Sequence, residues 1–236
     1  MSKFFSIAID GPSGAGKSTL ARRCAETFTF LYVDTGAIYR TVGLAAIRSE
    51  TDRKDSDQIR KLLSSLKIEL KYNAEGEQRM FLNGNDVSDE IRMPEVSIAA
   101  SDVSALPVVR QYLMEMQRSL ARTNHVIMDG RDIWTVVLPN ADLKIFLTAS
   151  AEERARRRVS QLKEKGISAK YEEVLKDIQY RDYQDMNRDT APLRQAEDAV
   201  LIDTSDLDFD ESFQVLCDLI IQTFSLDSAG QNGADL

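Results

Sequence analysis

Short apolar runs alternate with longer stretches in which apolar residues recur every three or four positions. Phe5–Ile9, Phe30–Val33, Val126–Met128, Leu143–Leu147 and Ala199–Ile202 each read as a short buried strand, and several end on an acidic residue (Asp10, Asp34, Asp129, Asp203). Helical patterns lie between them, which predicts an α/β fold with a mainly parallel sheet flanked by helices. A helix is expected over Ser18–Phe28. Another starts at Ala151, where Ser150-Ala-Glu-Glu153 reads as a capping box, and Gly166 stops it. Between about 67 and 90 the period changes to two (Ile68, Leu70, Tyr72, then Met80, Leu82). Turns are expected at Asn73–Gln78 and at Asn83-Gly84-Asn85, so this stretch is a small antiparallel excursion. Residues 226–236 are small and polar and read as a disordered tail.

Composition narrows the function classes. The chain has 236 residues, 43% hydrophobic and 29% charged, the balance of a globular protein with room for one large domain. The longest stretch without a charge is the nine residues Ile133–Ala141, far short of the ~20 a spanning helix needs, so no membrane partner is expected. An acidic residue at position 10 interrupts any leader-like apolar run, and a cytoplasmic protein is expected. Cys24 and Cys217 lie far apart in the sequence, which argues against a disulfide scaffold or a zinc site, and His125 is the single histidine. The net charge of −8 is a C-terminal property: residues 195–236 hold ten acidic side chains and no Lys or Arg, leaving residues 1–194 at +2. A near-neutral body does not suit extended nucleic-acid contacts, and no nucleic-acid partner is expected. Nineteen of the 30 cations are arginine, whose planar fork suits a small polyanion held in a cleft.

Gly11, Pro12, Ser13, Gly14, Ala15, Gly16, Lys17 and Ser18 match G-x-x-x-x-G-K-[ST], between an expected strand and an expected helix. In such a P-loop the glycines turn backbone N–H groups toward phosphate oxygens. Lys17 reaches the β- and γ-phosphates, and the Ser18 hydroxyl ligates Mg²⁺. ATP and Mg²⁺ are therefore the expected cofactors, with Asp129 at the strand end where a metal-organising carboxylate belongs. The chain lacks the Asn-Lys-x-Asp of GTPases and the Leu-Ser-Gly-Gly-Gln of transporter ATPases. Instead, Asp34-Thr-Gly-Ala-Ile-Tyr-Arg40 and Asp129-Gly-Arg-Asp132 follow two strands, and Arg154, Arg156, Arg157 and Arg158 crowd one helix. Arg181, Asp185 and Arg188 fall at i, i+4 and i+7 of another. So many arginines beside a P-loop suggest a phosphate-bearing acceptor as well as a donor.

These motifs, running in order over residues 7–204, resemble bacterial-type cytidylate kinases. The resemblance implies a single P-loop NTPase-type kinase domain over residues 1–225. Its core would be about 1–66 and 91–225, with a nucleoside-monophosphate-binding insertion at about 67–90 and a helical lid at about 150–170. It implies transfer of the ATP γ-phosphoryl group to CMP or dCMP by a monomer. Gly11–Thr19 would cradle ATP, and Thr35 and Arg40 would contact the CMP phosphate with Arg131 assisting. Ser101, Arg110 and Asp132 would face the cytosine. Arg181 and Asp185 would face the ribose and Arg188 would orient them, while Arg154 and Arg158 would swing over the transferring group. The pattern departs at Trp134, where the family has Gly, so the indole is expected either to point outward or to reshape the loop after Asp132. Two other readings stand beside this one: a P-loop kinase for a different small acceptor (UMP, shikimate or gluconate), and an ATP sensor without transferase activity.

Overall fold

A computed structural model describes residues 4–164 and 166–226. Among these, the strands are β1 (Ser6–Asp10), β2 (Leu31–Asp34), β3 (Ile68–Tyr72), β4 (Gln78–Leu82), β5 (Asn85–Asp86), β6 (Val126–Gly130), β7 (Leu143–Thr148) and β8 (Val200–Asp203). The α-helices are α1 (Lys17–Phe28), α2 (Thr35–Arg48), α3 (Ser56–Ser64), α4 (Pro94–Ser104), α5 (Pro107–Thr123), α6 (Ala151–Glu164), α7 (Tyr171–Asn187) and α8 (Phe209–Phe224). The chain divides into two compact units, one formed by residues up to 32 with those from 123 onward, the other by residues 33–122.

In the first unit the sheet has the order β2-β6-β1-β7-β8, and β1 pairs parallel with β6 and β7, as β7 does with β8. All five expected strands are present, but most run one or two residues further than their apolar runs. The register explains this: Asp10 pairs with Gly130, and Thr148 with Asp203. A ladder needs only backbone groups, so it continues into the polar residues at the strand ends.

The core packs α1 and α8 on the sheet through Ile7, Ile9, Leu20, Phe28, Ile145, Leu147, Leu216 and Ile220. It also brings Cys24 and Cys217 together, with their sulfurs 4.0 Å apart and both thiols free. The acidic C-terminal segment has a local purpose. Asp208 and Glu211 form a reciprocal capping box on α8, and Asp210 lies in the same first turn, where the positive end of the helix favours carboxylates. Leu226, at the start of the expected tail, is buried in this core; residues 227–236 lie outside the described residues.

The α6–α7 pair has a small apolar cluster of its own, built from Ala155, Val174 and Ile178. Gly166 closes α6 at φ +73°, as expected. The capping box at its other end is only half formed. Glu153 N–H donates to Ser150 Oγ, but the Glu153 carboxylate turns away to Arg156 and Arg157, and the Ser150 N–H donates to Ser205 Oγ instead. Two nearby cations compete successfully for the Glu153 side chain.

The second unit contains the expected excursion, a three-stranded antiparallel sheet β3-β4-β5. Its first turn closes through Asn73, whose carbonyl oxygen side-chain atom accepts from Glu77 N–H. The second is the two-residue Asn83-Gly84 loop, with both residues at positive φ. In the same unit α2 and α4 pack so closely that a Cβ on Gly43 would stand 2.7 Å from the Ala100 backbone nitrogen. Backbone cannot yield as a flexible side chain can. Gly43→Ala should therefore lower stability by about 1–3 kcal/mol, measured by thermal or urea denaturation; a Tm equal to the parent's would refute that packing. No helix among the described residues is long and apolar enough to cross a membrane.

Candidate active site

The first unit holds the glycine-rich loop between β1 and α1. β1 ends at Asp10 and the chain turns sharply through Gly11–Gly16 into α1. At Gly11 the backbone presses on β7 so tightly that a Cβ would lie 1.9 Å from the Leu147 carbonyl oxygen, so only glycine fits. Gly14 and Gly16 hold φ of +79° and +88°, the left-handed turns that point consecutive N–H groups to one side at the N-terminus of α1. Lys17 is buried, and its Nζ donates to the Pro12 carbonyl at 2.7 Å. Burial pushes its ammonium down to about 7, with Arg131 adding to the shift and the carboxylates of Asp129, Asp10 and Asp185 opposing it.

Ser18 and Asp129 meet. The Ser18 hydroxyl donates to Asp129 Oδ2 at 2.8 Å, and Tyr32 donates to Asp129 Oδ1 at 2.8 Å. No group of three or more His, Cys, Asp or Glu side chains able to hold a metal is found among the described residues. A hydroxyl and a carboxylate are nevertheless hard oxygen donors, suited to Mg²⁺, which takes few protein ligands and completes its shell with phosphate oxygens and water.

The turn after β6 gathers four expected residues in one network. Arg131 Nε donates to Asp185 Oδ2 at 2.8 Å, Arg188 lies 3.8 Å from Asp185, and Arg188 also lies 3.8 Å from Asp132. Arg188 is not on the helical face shared by Arg181 and Asp185. It caps α7 in extended conformation (ψ 144°), and from there its side chain turns back to Asp132. Arg181 is exposed and forms no ion pair with a described residue; it is the neighbouring Asp182 that is engaged.

Asp182 grips Arg154 bidentately at 3.0 and 2.6 Å, and Arg154 also donates to the carbonyls of Ala149 and Ser13, its Cβ packing beside Gly14. Arg154 is thus buried and tied to the phosphate loop rather than placed to swing. Arg158 stands exposed on α6. Arg156 and Arg157 are held by Glu153, and Arg157 also by the Thr204 and Leu207 carbonyls, so half of the arginine cluster is structural.

Trp134 does not point outward. It is 2% exposed in a single π-helical turn, Ile133–Val137, with its ring 5.8 Å from Phe146. Its backbone N–H donates to Asp10 Oδ2 at 3.2 Å, which ties the loop after Asp132 to the end of β1. Asp10 was not singled out as a site residue in the sequence, although it ends the first strand. It is fully buried, and burial pushes its carboxyl up to about 8, with Asp132 adding to the rise. His125, the single histidine, receives the Phe5 N–H at 3.0 Å and stacks with Phe30, a packing role just before β6.

The second unit gathers Asp34, Thr35 and Arg40 at the N-terminus of the 14-residue α2. Asp34 caps that helix through the Ala37 N–H at 2.8 Å and holds Arg40 Nη2 at 2.8 Å. Arg40 Nε is buried without a hydrogen-bond partner among the described residues, and the Thr35 side chain is buried at the first helical position. Gly36 brings the backbone against this ion pair, where a Cβ would lie 3.1 Å from both Arg40 and Asp34. Arg110 is buried on α5, donates to the Tyr39 hydroxyl at 3.1 Å and stacks over its ring. Ser101 is exposed in the interior of α4, not at a cap. Tyr32 and Gln78 are partners of site residues that no sequence motif marks, while Tyr39 and Asp182 lie inside marked motifs without having been assigned a role.

The family model described as cytidylate kinase matches residues 7–225. The chain belongs to the cytidylate kinase family. Curated cytidylate kinases are similar along nearly their whole length. That of Caldicellulosiruptor bescii is 50% identical over 217 residues, 92% of this chain and 96% of its own. That of Carboxydothermus hydrogenoformans is 49% identical over 91% of this chain and 96% of its own. That of Caldanaerobacter subterraneus subsp. tengcongensis is 51% identical over 87% of this chain and 89% of its own. The resemblance read from the P-loop and the arginine motifs is thereby established for the cytidylate kinase family as a whole, not for a GTPase, a transporter ATPase or a kinase of another acceptor family.

Proposed function

We propose that the protein transfers the γ-phosphoryl group of ATP to CMP, and to dCMP, giving ADP and the corresponding diphosphate. The observation that carries this reading is the intact phosphate loop, with Lys17 and the Ser18–Asp129 pair in place, in a chain matched to cytidylate kinases over residues 7–225. In this reading the N–H groups of Gly11–Thr19 hold the ATP phosphates, and Lys17 leaves the Pro12 carbonyl for the β- and γ-oxygens. Mg²⁺ would be held by the Ser18 hydroxyl with Asp129 behind it and would supply charge that neutralises the phosphate oxygens.

In this reading Thr35 and Arg40 bind the acceptor phosphate, one oxygen of which attacks the γ-phosphorus. That oxygen forms the new P–O bond as the bond to the ADP oxygen breaks. A phosphate dianion brings no proton to remove, so the step needs no general base, which suits a chain whose one histidine is used in packing. Arg131, Arg154 and Arg158 spread the charge on the transferring group. Buried Asp132, faced by Arg188, is suited to accept from the cytosine 4-amino group, which uracil lacks, and Arg110 to donate to the O2/N3 edge. Arg181 and Asp185 serve the ribose and Ser101 the base. A monomer in the cytoplasm, using small-molecule substrates alone, completes the proposal.

The test is ADP production with Mg²⁺–ATP against CMP, dCMP, UMP, AMP and no acceptor. Fast turnover with CMP and dCMP and slow turnover with the others is expected. Turnover with UMP equal to that with CMP would remove Asp132 from base recognition, and no turnover with any acceptor while ATP still binds would leave a sensor.

A further inference from the structure

Gln78 opens β4, the middle strand of the small antiparallel sheet, and its side chain leaves that sheet to reach Asp34. Its amide oxygen accepts from the Asp34 N–H at 2.8 Å, and its amide nitrogen donates to the Asp34 carbonyl at 3.2 Å. A primary amide offers one acceptor and one donor side by side, the same pair that a neighbouring strand presents to an extended residue. Asp34 is extended (φ −77°, ψ 95°), so a single side chain substitutes for a strand partner and pins both backbone groups of one residue.

The residue so pinned is the one on which the anion site of this unit depends. The Asp34 carboxylate caps α2 through Ala37 and holds Arg40 at 2.8 Å. That ion pair is about a quarter exposed on each side, so solvent screening leaves it little hold of its own on the guanidinium. The backbone under the carboxylate must be fixed if Arg40 is to keep its direction. Gln78 is itself well anchored: β4 is buried at Met80 and Leu82, the Met80 N–H donates to Ser88 Oγ at 2.8 Å, and the Gln78 amide also contacts Met80 Sδ at 3.4 Å.

We propose that Gln78 is a positioning residue for the phosphate monoester of the acceptor, acting through Asp34 on Arg40 and the N-terminus of α2. The hairpin is then part of the acceptor site rather than an ornament of the fold. The inference rests on the CMP kinase reading only for the identity of the anion.

Gln78→Met keeps the length of the side chain and removes both hydrogen bonds. Gln78→Glu keeps the acceptor, loses the donor and sets a negative charge against the Asp34 carbonyl. In the full-length protein the KM for CMP should rise about tenfold in the Met variant and further in the Glu variant, the worth of one or two hydrogen bonds. The KM for ATP should stay within twofold of the parent's. Titration calorimetry with CMP alone should show the same loss of affinity.

A strut without a positioning role would lower Tm and leave the ratio of the two KM values unchanged. That result in either folded variant overturns the proposal. Should the parent protein fail to phosphorylate CMP, the kinase reading falls. Calorimetry of parent and Gln78→Met with inorganic phosphate then decides the clamp separately, equal affinities refuting it.

Discussion

Replacing Lys17 by Met is expected to reduce turnover with Mg²⁺–ATP and CMP by about 10²–10³-fold, with the fold intact. The side chain is nearly the same length, so it can follow the same path beneath the phosphate loop. It loses the ammonium that now donates to the Pro12 carbonyl at 2.7 Å and that would otherwise move to the phosphates. A buried cation whose pKa is pushed down to about 7 by its surroundings is costly to keep for structure alone. The Met variant should therefore be at least as stable as the parent in urea, and the loss should fall on kcat. A turnover within tenfold of the parent's would take Lys17 out of the transferring step.

Asp10→Asn is expected to raise stability at and above neutral pH and to flatten its pH dependence. In the folded protein burial and the neighbouring Asp132 carboxylate push the Asp10 carboxyl from 3.8 up to about 8. The N–H groups of Trp134 and Ile133 and the Lys17 ammonium oppose the rise. Between those two values the folded chain holds a proton that the unfolded chain has released. Stability is therefore fully present below about 3.8 and is lost as pH rises toward 8, by on the order of a few kcal/mol. An asparagine carries no such proton. Its amide oxygen can keep the Trp134 N–H, and its nitrogen fills the place of Oδ1, which lacks a hydrogen-bond partner among the described residues. Denaturant unfolding at intervals from pH 5 to 9 should give parent and variant curves that diverge as pH rises. Curves that remain parallel would mean that Asp10 is charged throughout.

The elements were largely legible because burial writes itself into local pattern. The strand runs are continuous because both faces of a parallel sheet are covered, and the period-two stretch became a hairpin with its turn at Asn83-Gly84, where both residues take positive φ. The P-loop was legible because its glycines answer backbone constraints, as at Gly11 against Leu147. What escaped was whatever depends on distance in space. Cys24 and Cys217 are 193 positions apart in the chain, yet packing of α1 on α8 sets their sulfurs 4.0 Å apart. Helical spacing put Arg188 on a face with Arg181, but the helix ends one residue earlier, and the pairing of Asp182 with Arg154 depends on how α6 and α7 pack. Trp134 looked like an intruder because sequence gives no sign of the space beside Phe146 that receives it. Gln78 had no signal at all, since one glutamine at a strand start is ordinary and only its partner makes it informative.

The private apolar cluster of α6 and α7 bears on how this molecule comes apart. Its three buried residues, Ala155, Val174 and Ile178, are few beside the long list that joins α1, α8 and the sheet, and the links described at its base are polar: Arg154 to Ser13, Arg157 to Thr204 and Leu207, and Asp185 to Arg131. Segments with so little buried apolar area open separately, at a free energy well below that of global unfolding. Amide protons of α6 and α7 should thus exchange with solvent long before those of β1 and β6. Limited proteolysis should begin between Gly166 and Lys170, leaving the five-stranded sheet with its order preserved.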